Sequence, residues 1–171
     1  MIPYKQIAIA VVKLLRKNNI PSWVAGGVAV DIYSNTNRYH KDIDIFVSDY
    51  RYMNKVVRIL RNAGFRLTSE NRPHRVYMVG NVICNNNKYR VGLDIFFKTL
   101  FFGLFEPEPD MNSYTVDIET LLKGMYDKKT RTEKALYRAN EDISLLQNCL
   151  SSPEKYKYNV GIANVVGVLN E

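Results

Sequence analysis

Hydrophobic and polar positions in the first third of the chain fall into helical and strand-like runs. Over residues 4–17 the apolar side chains Ile7, Val11 and Leu14 recur at helical spacing, and Lys and Arg residues end the run, where the helix dipole favours them. The short apolar run that follows indicates a buried strand. The predicted elements of this part are helices over residues 4–17, 28–33 and 48–62 and strands over residues 20–25 and 42–47.

The rest of the chain has strand-like runs first and helical runs last. Asn85, Asn86 and Asn87 separate two alternating runs, and asparagine tolerates the left-handed backbone of tight hairpin turns. Residues 99–113 are expected to form an irregular loop. The predicted elements are strands over residues 65–68, 75–84 and 89–97 and helices over residues 119–127 and 132–150.

This order of elements predicts an α+β fold with a mixed, twisted sheet, helices packed on one side, and C-terminal helices. We expect residues 1–115 to form the core and residues 116–171 a helical extension that packs on it within one compact unit.

Two glycines and two aspartates in this pattern carry candidate chemistry. Gly26 and Gly27 lie between a buried strand and a helix, a position where backbone N–H groups can approach phosphate oxygens. Asp42 and Asp44 are two residues apart on a strand and so share one face. Neighbouring carboxylates repel each other unless a cation lies between them, and hard oxygen ligands suit Mg²⁺. Together these features suggest chemistry on a nucleoside triphosphate.

Asp94 adds a third acid, in a strand that is otherwise apolar. Leu93 and Ile95 lie on the opposite face of that strand, and a charge in such surroundings is costly unless a metal or another cation pairs with it. If this strand neighbours residues 42–47, all three aspartates converge at one site. Two-metal phosphoryl transfer needs such an arrangement.

Composition and charge narrow the class of partner. No apolar run reaches the roughly 18–20 residues that cross a membrane, so we expect a cytoplasmic protein without a membrane partner. Cys84 and Cys149 are expected to be core thiols, since they are too few and too far apart for a disulfide framework or a zinc site. The net charge of +7 favours an anionic partner such as a nucleotide or RNA, and it counts against a polycationic acceptor such as an aminoglycoside.

These motifs resemble those of the nucleotidyltransferase superfamily that shares the DNA polymerase β catalytic fold. The resemblance rests on the Gly26-Gly27 pair, the Asp42 and Asp44 pair and the later Asp94. The string Gly-Gly-x-Ala-x-Asp, followed by Arg-x-His-x-Asp-Ile-Asp, is most similar to small bacterial-type members. Those include lincosamide and aminoglycoside nucleotidyltransferases and abortive-infection toxins.

The resemblance implies a role for each residue of the motifs. Asp42 and Asp44 would hold two divalent ions, Mg²⁺ or Mn²⁺, and Asp94 would bind the catalytic ion and accept the acceptor's proton. Gly26 and Gly27 would hold the β- and γ-phosphates. Further nucleotide-binding candidates are Arg38, His40, Lys123 and Arg131. The implied reaction transfers a nucleoside monophosphate from an NTP, with ATP among the candidates, to a hydroxyl and releases pyrophosphate.

The acceptor stays open between several classes. An RNA or tRNA end, or a protein hydroxyl as in toxin-type relatives, fits the positive charge and is slightly favoured. A small lincosamide-type antibiotic fits the short chain, and a module that has lost catalysis and only binds is a further alternative. Residues 101–105 are candidates for a homodimer surface, a lid over the acceptor, or packing for the terminal helices.

Several side chains have a structural interpretation beside the functional one. Asp31 is expected to be a structural hydrogen-bond partner and Trp23 a core residue. His40 either reaches phosphate or acceptor, or orients Asp42 and the turn before it. A basic-aromatic surface, which either contacts RNA or packs, would comprise Arg72, His74, Arg75, Tyr77 and Tyr89.

Overall fold

A computed structural model describes residues 1–68, 74–98, 110–128 and 133–151. The helices are α1 (Tyr4–Lys17), α2 (Gly26–Ser34), α3 (Met53–Asn62), α4 (Ile118–Lys128) and α5 (Glu133–Ser151). The strands are β1 (Ser22–Ala25), β2 (Ile43–Val47), β3 (Phe65–Leu67), β4 (Arg75–Cys84) and β5 (Asn87–Phe97). The order of elements is the predicted one, and the α+β fold with a mixed sheet is confirmed.

The elements differ from the sequence prediction mainly at their ends. The second strand begins at Ile43, so Asp42 lies just before it instead of within it. Helix α2 begins at Gly26 itself, two residues earlier than expected. A short 3-10 turn precedes α3, and Asp49 caps that turn by accepting a hydrogen bond of 2.7 Å from the backbone N–H of Arg51.

The five strands form one sheet in the order β1-β2-β5-β4-β3. The central pair, β2 and β5, is parallel, and the other neighbours are antiparallel. The turn between β4 and β5 lies at Asn85 and Asn86, which have φ of 49° and 62°, and it is one residue shorter than the predicted turn because Asn87 already belongs to β5.

The two faces of the sheet have different surroundings. Helices α1 and α3 pack against its strands, and the core face carries fully buried apolar residues such as Ile45, Leu93 and Met78. The opposite face, here called the polar face, carries Asp44, Asp94 and their neighbours in register. At its β1 end this face is apolar and covered: Trp23 is fully buried, as expected, and stacks on Phe46 with ring centroids 5.7 Å apart.

The chain returns to the sheet after residue 110. The backbone N–H of Val24 donates to the carbonyl of Tyr114 at 2.7 Å, and that of Val116 donates to the carbonyl of Val24 at 3.0 Å. These bonds form a parallel bridge between Val24 and Thr115 at the free edge of β1. Helix α5 then packs against α2 and α4.

Two further expectations concern cysteines and membranes. Cys84 and Cys149 are buried, free thiols, as expected for core residues. Within the described ranges, no helix combines the length and the apolarity that crossing a bilayer requires.

Candidate active site

The parallel pairing of β2 with β5 brings two of the three aspartates side by side. Asp44 and Asp94 are direct partners in the register of this pair, so their side chains leave the sheet on the same face. Asp94 is only 2% exposed, whereas Asp42 and Asp44 are half-buried. Asp42 lies next to Gly92, since a Cβ built on that glycine would be 3.5 Å from the Asp42 Cβ. The three acids therefore gather at one end of the polar face.

The diglycine bend lies directly against this group. Gly26 has φ of +59°, and a Cβ built on it would be 1.9 Å from Oδ2 of Asp44. A Cβ on Gly27 would be 3.0 Å from the ring of His40. Glycine is therefore needed at both positions, because the backbone at the start of α2 passes so close to these side chains. The bend places the N-terminus of α2, where anions are favoured, beside the carboxylates.

Arg75, the first residue of β4, forms a two-pronged ion pair with Asp94. Its Nε donates to Oδ1 of Asp94 at 2.5 Å, and a second guanidinium nitrogen donates to Oδ2. The hydrogen bonds to Asp94 raise the pKa of Arg75, and the charges of Asp44 and Asp42 act in the same direction. Arg75 was expected on a basic-aromatic surface, and its contact with Asp94 was missed.

The rest of the expected basic-aromatic surface is divided. Tyr77 pairs with Asp94 across β4 and β5, so it belongs to the polar face beside the acids. The ring of His74 packs edge-on against Tyr50 with centroids 5.2 Å apart. Arg72 lies outside the described residues. Of the described members, Arg75 and Tyr77 face the carboxylates, His74 packs against Tyr50, and Tyr89 packs against the core, and contact with RNA stays a prediction.

A second polar cluster supports the bend from behind and centres on Asp31, which is 2% exposed. Its carboxylate accepts hydrogen bonds from the backbone N–H of Arg38 at 2.7 Å and from Thr36 at 2.9 Å, and Nε2 of His40 lies 3.0 Å away. Burial opposes ionisation, but hydrogen bonds from His40 and Arg38 outweigh it and hold the pKa of the Asp31 carboxyl well below its usual range. The structural hydrogen-bond role expected of Asp31 is confirmed.

Arg38 joins this cluster to α5. Its Nε donates to Asp31 at 2.6 Å, and its NH1 donates to Asp142 at 2.7 Å, with Glu141 at 3.6 Å. Burial lowers the pKa of Arg38, but the hydrogen bonds to Asp142 and Asp31 outweigh it and the net shift is upward. Arg38 therefore connects α2 and the following loop to α5 through charged hydrogen bonds. Its contact with the nucleotide stays a prediction.

The remaining nucleotide-binding candidates lie at different distances from the bend. The ring of His40 is packed between Asp31 and Gly27, and its backbone carbonyl accepts a hydrogen bond from the hydroxyl of Tyr4. The ring of His40 therefore lies beside the bend, and its expected role in orienting Asp42 stays a prediction. Lys123 is exposed on α4, and Arg131 lies outside the described residues. A phosphate-binding role stays a prediction for all three.

The donor set of the site is one of hard oxygen ligands, which fits Mg²⁺ or Mn²⁺ in chemical type. The close packing of Gly26 against Asp44 also keeps the Asp44 carboxylate at the start of α2. Among the residues that the structure describes, however, no group of three or more His, Cys, Asp or Glu side chains is placed so that it could hold a metal ion. Both oxygens of Asp94 are engaged by Arg75 in this arrangement.

A family model described as aminoglycoside-2''-adenylyltransferase matches residues 8–84, which include the bend, Asp42, Asp44 and Arg75. The chain also resembles a crystal structure of ANT(2'')-Ia in complex with adenylyl-2''-tobramycin, with a TM-score of 0.62 and 16% identity over 89% of this chain and 92% of that one. No curated protein sequence matches the chain.

Two further solved structures share the fold. A solution structure of ANT(2'')-Ia has a TM-score of 0.57 and 14% identity and covers 90% of this chain and 95% of that one. A crystal structure of JHP933 from Helicobacter pylori has a TM-score of 0.52 and 14% identity, with 95% and 70% coverage. The chain therefore shares the nucleotidyltransferase fold of the ANT(2'')-Ia structures. The match to the aminoglycoside-2''-adenylyltransferase family model is a similarity over residues 8–84, which is less than half of the chain.

The comparisons change the balance between the acceptor classes. The net charge of +7 had favoured RNA or a protein hydroxyl and had counted against an aminoglycoside. The matched family and ANT(2'')-Ia are named for aminoglycoside modification, so the small-molecule alternative is the better supported of the two. The charge of a whole chain does not determine the charge of one cleft, so a basic chain can still bind a cationic acceptor in an acidic pocket.

Proposed function

We propose that this enzyme transfers a nucleoside monophosphate from an NTP to a hydroxyl group of a small-molecule acceptor. The observation that carries the proposal is the register of Asp44 beside Asp94, with the bend at Gly26 packed against Asp44. ATP is the donor to test first, because the matched family and the adenylylated tobramycin in the ANT(2'')-Ia structure both involve adenylyl transfer.

The proposed reaction is a single displacement at the α-phosphorus. The acceptor oxygen forms a bond to that phosphorus, the bond to the β-phosphate oxygen breaks, and pyrophosphate leaves. Asp94, buried beside Asp44, would take the proton of the acceptor hydroxyl directly or through a water molecule. Backbone N–H groups of Gly26 and Gly27 would bind the β- and γ-phosphates as they separate from the acceptor side.

Asp42 and Asp44 would hold the divalent ions, with Asp94 as a further ligand. When bound, such ions neutralise the phosphate charge and activate the attacking hydroxyl. The chain's own contribution is to position the carboxylates: the strand register sets Asp44 beside Asp94, and the absence of a side chain at Gly26 leaves room for the Asp44 carboxylate at the start of α2.

The size of a neighbouring cavity supports a small acceptor. A cavity of about 470 Å³ opens at the β3–β4 end of the polar face, and its lining includes Val79, Arg66 and Arg90. Val79 pairs with Gly92, which lies against Asp42, so the cavity begins one strand away from the acids. Its volume falls within the roughly 300–1,000 Å³ that is typical of small-molecule sites.

The test is incubation with NTPs labelled at the α-phosphate, Mg²⁺, and a panel of acceptors: aminoglycosides including tobramycin, lincosamides, and total tRNA. We expect label on one small-molecule class, with equal release of pyrophosphate. Asp42→Asn and Asp44→Asn should abolish transfer, whereas Glu119→Gln, which removes an exposed carboxylate of α4, serves as the charge-matched control. Label on tRNA alone would reject the small-molecule proposal.

The second candidate is a binding module without catalysis, and the ion pair between Arg75 and Asp94 is the observation that favours it. The two candidates differ in how nucleotide stabilises the protein. An enzyme should show Mg²⁺-dependent thermal stabilisation by ATP that is lost in an Asp42→Ala/Asp44→Ala variant. Equal stabilisation of the wild type and this variant would favour the binding module.

A further inference from the structure

The most unusual contact of the site is the one between Arg75 and Asp94. A guanidinium engages both oxygens of a carboxylate that is 2% exposed, and the carboxylate is the same one that the proposed function assigns to the catalytic ion. Such charge-assisted, two-pronged pairs are among the stronger polar contacts in proteins. The pair is therefore more than a packing detail of the sheet.

The carboxylate of Asp94 cannot bind Arg75 and a divalent ion at full strength at the same time. Each oxygen of Asp94 already accepts a hydrogen bond from Arg75, and a bound ion would bring a second positive charge to the same atoms. Charges of the same sign at this distance repel each other strongly in a buried setting. Arg75 and a divalent ion at Asp94 are thus competitors.

We infer that Arg75 is the resident counter-ion of Asp94, and that metal binding displaces it from the carboxylate. The inference rests on the proposed function, because it assumes that Asp94 is a metal ligand. Its consequence is an exchange in which Asp94 is never left as an unpaired buried charge: Arg75 holds it in the resting enzyme and the ion holds it in the loaded one. Arg75 then sets the metal concentration at which the site assembles.

The surroundings of Arg75 allow it to leave without a large penalty. Its side chain is 37% exposed, so the displaced guanidinium has direct access to solvent. Its Cζ also lies 4.7 Å from the centre of the Phe96 ring, its partner in the β4–β5 register. A cation above an aromatic face is stabilised there, so this contact gives Arg75 a place to remain once Asp94 is released.

The inference is tested by measuring Mn²⁺ binding in the absence of nucleotide and acceptor. Binding is monitored as the loss of the electron paramagnetic resonance signal of free Mn²⁺. The variants are Arg75→Gln, which cannot form the ion pair, and Arg75→Lys, which keeps the charge without the fork. Arg58→Gln removes an exposed arginine of α3 and controls for the change in net charge. Circular dichroism and thermal unfolding report whether each variant is folded.

We expect Arg75→Gln to bind Mn²⁺ at least about tenfold more tightly than the wild type, since the competing charged hydrogen bonds are absent. Arg75→Lys should lie between the two, and Arg58→Gln should match the wild type. In an Asp94→Asn background the Arg75→Gln change should have no further effect, because the pair is already broken. Binding by Arg75→Gln where the wild type shows none would support the inference even more directly.

Two results would overturn the inference, and they differ from a failure of the proposed function. Unchanged affinity in Arg75→Gln, or the same gain in Arg58→Gln, would mean that Arg75 does not compete for Asp94. Weaker binding in a folded Arg75→Gln protein would mean that Arg75 orients Asp94 for the ion. If Mn²⁺ binds and Asp42→Asn/Asp44→Asn abolishes it, the metal part of the proposed function stands in either case. If no variant binds Mn²⁺, both proposals fail.

Discussion

A single methyl group added at Gly26 would test the geometry of the site most directly. Gly26→Ala carries two separate costs: the backbone φ of +59° is unfavourable for alanine, and the new Cβ would lie 1.9 Å from Oδ2 and 2.6 Å from Cγ of Asp44. Either the Asp44 side chain or the first turn of α2 must move. Since Asp44 is the proposed metal ligand nearest the phosphate site, we expect Mg²⁺-dependent ATP binding to be lost.

The chain contains a matched control for the backbone cost. Gly64 also has a positive φ, +92°, but a Cβ built there would meet nothing within 4 Å. Gly64→Ala should therefore cost only the conformational penalty, about 1–2 kcal/mol of unfolding free energy. Gly26→Ala should cost about 1–3 kcal/mol more than that, the usual range for forcing an extra carbon into a packed site.

The assays are urea unfolding for stability and thermal stabilisation by ATP and Mg²⁺ for the site. In an Asp44→Ala background the contacts at 1.9 and 2.6 Å are removed and only the Cβ contact at 3.0 Å remains, so the cost of Gly26→Ala should fall towards that of Gly64→Ala. The reasoning would be refuted if Gly26→Ala and Gly64→Ala were equally stable and equally able to bind nucleotide. In that case the contact between Gly26 and Asp44 would not constrain either residue.

Two further predictions concern the cluster behind the bend. Because hydrogen bonds lower the pKa of Asp31 in the folded protein, its contribution to stability is present above its unfolded pKa of about 4 and is lost as the pH falls. The difference in unfolding free energy between the wild type and Asp31→Asn should thus be largest at pH 5 and above and should shrink below pH 4. Urea unfolding from pH 3 to pH 7 measures this difference. A difference that grows on acidification would contradict the assignment. The hydrogen bond between Arg38 and Asp142 predicts that Asp142→Asn lowers the unfolding free energy by about 1.5–3 kcal/mol and speeds hydrogen exchange in α5. In an Arg38→Met background the same substitution should cost little, because the contact between the two side chains is already absent. An equal cost in both backgrounds would show that Asp142 acts without Arg38.

The hairpin of β4 and β5 shows how far the local sequence pattern leads towards the site. The predicted turn comprised Asn85, Asn86 and Asn87, whereas the structure has Asn85 and Asn86 in the turn and pairs Cys84 with Asn87, and this turn determines the register of the whole hairpin. Counting back from that turn pairs Tyr77 with Asp94 and puts Arg75 on the same face, two residues further along. The predicted turn is one residue longer and would put Met78 opposite Asp94, so the contact between Arg75 and Asp94 depends on the exact length of the turn.

Other parts of the site could not be obtained from local pattern. Arg38 and Asp142 are 104 positions apart, and no periodicity or motif links a loop residue to one face of a distant helix. The pairing of β2 with β5 is also non-local, and local pattern indicates only that the aspartates converge if these two strands are neighbours. Hydrophobic spacing predicts elements well, whereas contacts between elements depend on how the whole chain packs.

The short bridge between Val24 and Thr115 has a consequence for self-association. A terminal strand such as β1 would otherwise present unpaired donors and acceptors, which can recruit a strand from another molecule. Residues 114–116 form backbone hydrogen bonds with Val24 at the outer edge of β1. The opposite edge of the sheet is β3, a strand of only three residues. Within the described residues the two terminal strands have only four and three residues, so if two copies associate, we expect them to meet through side chains and not by continuing the sheet at β1 or β3.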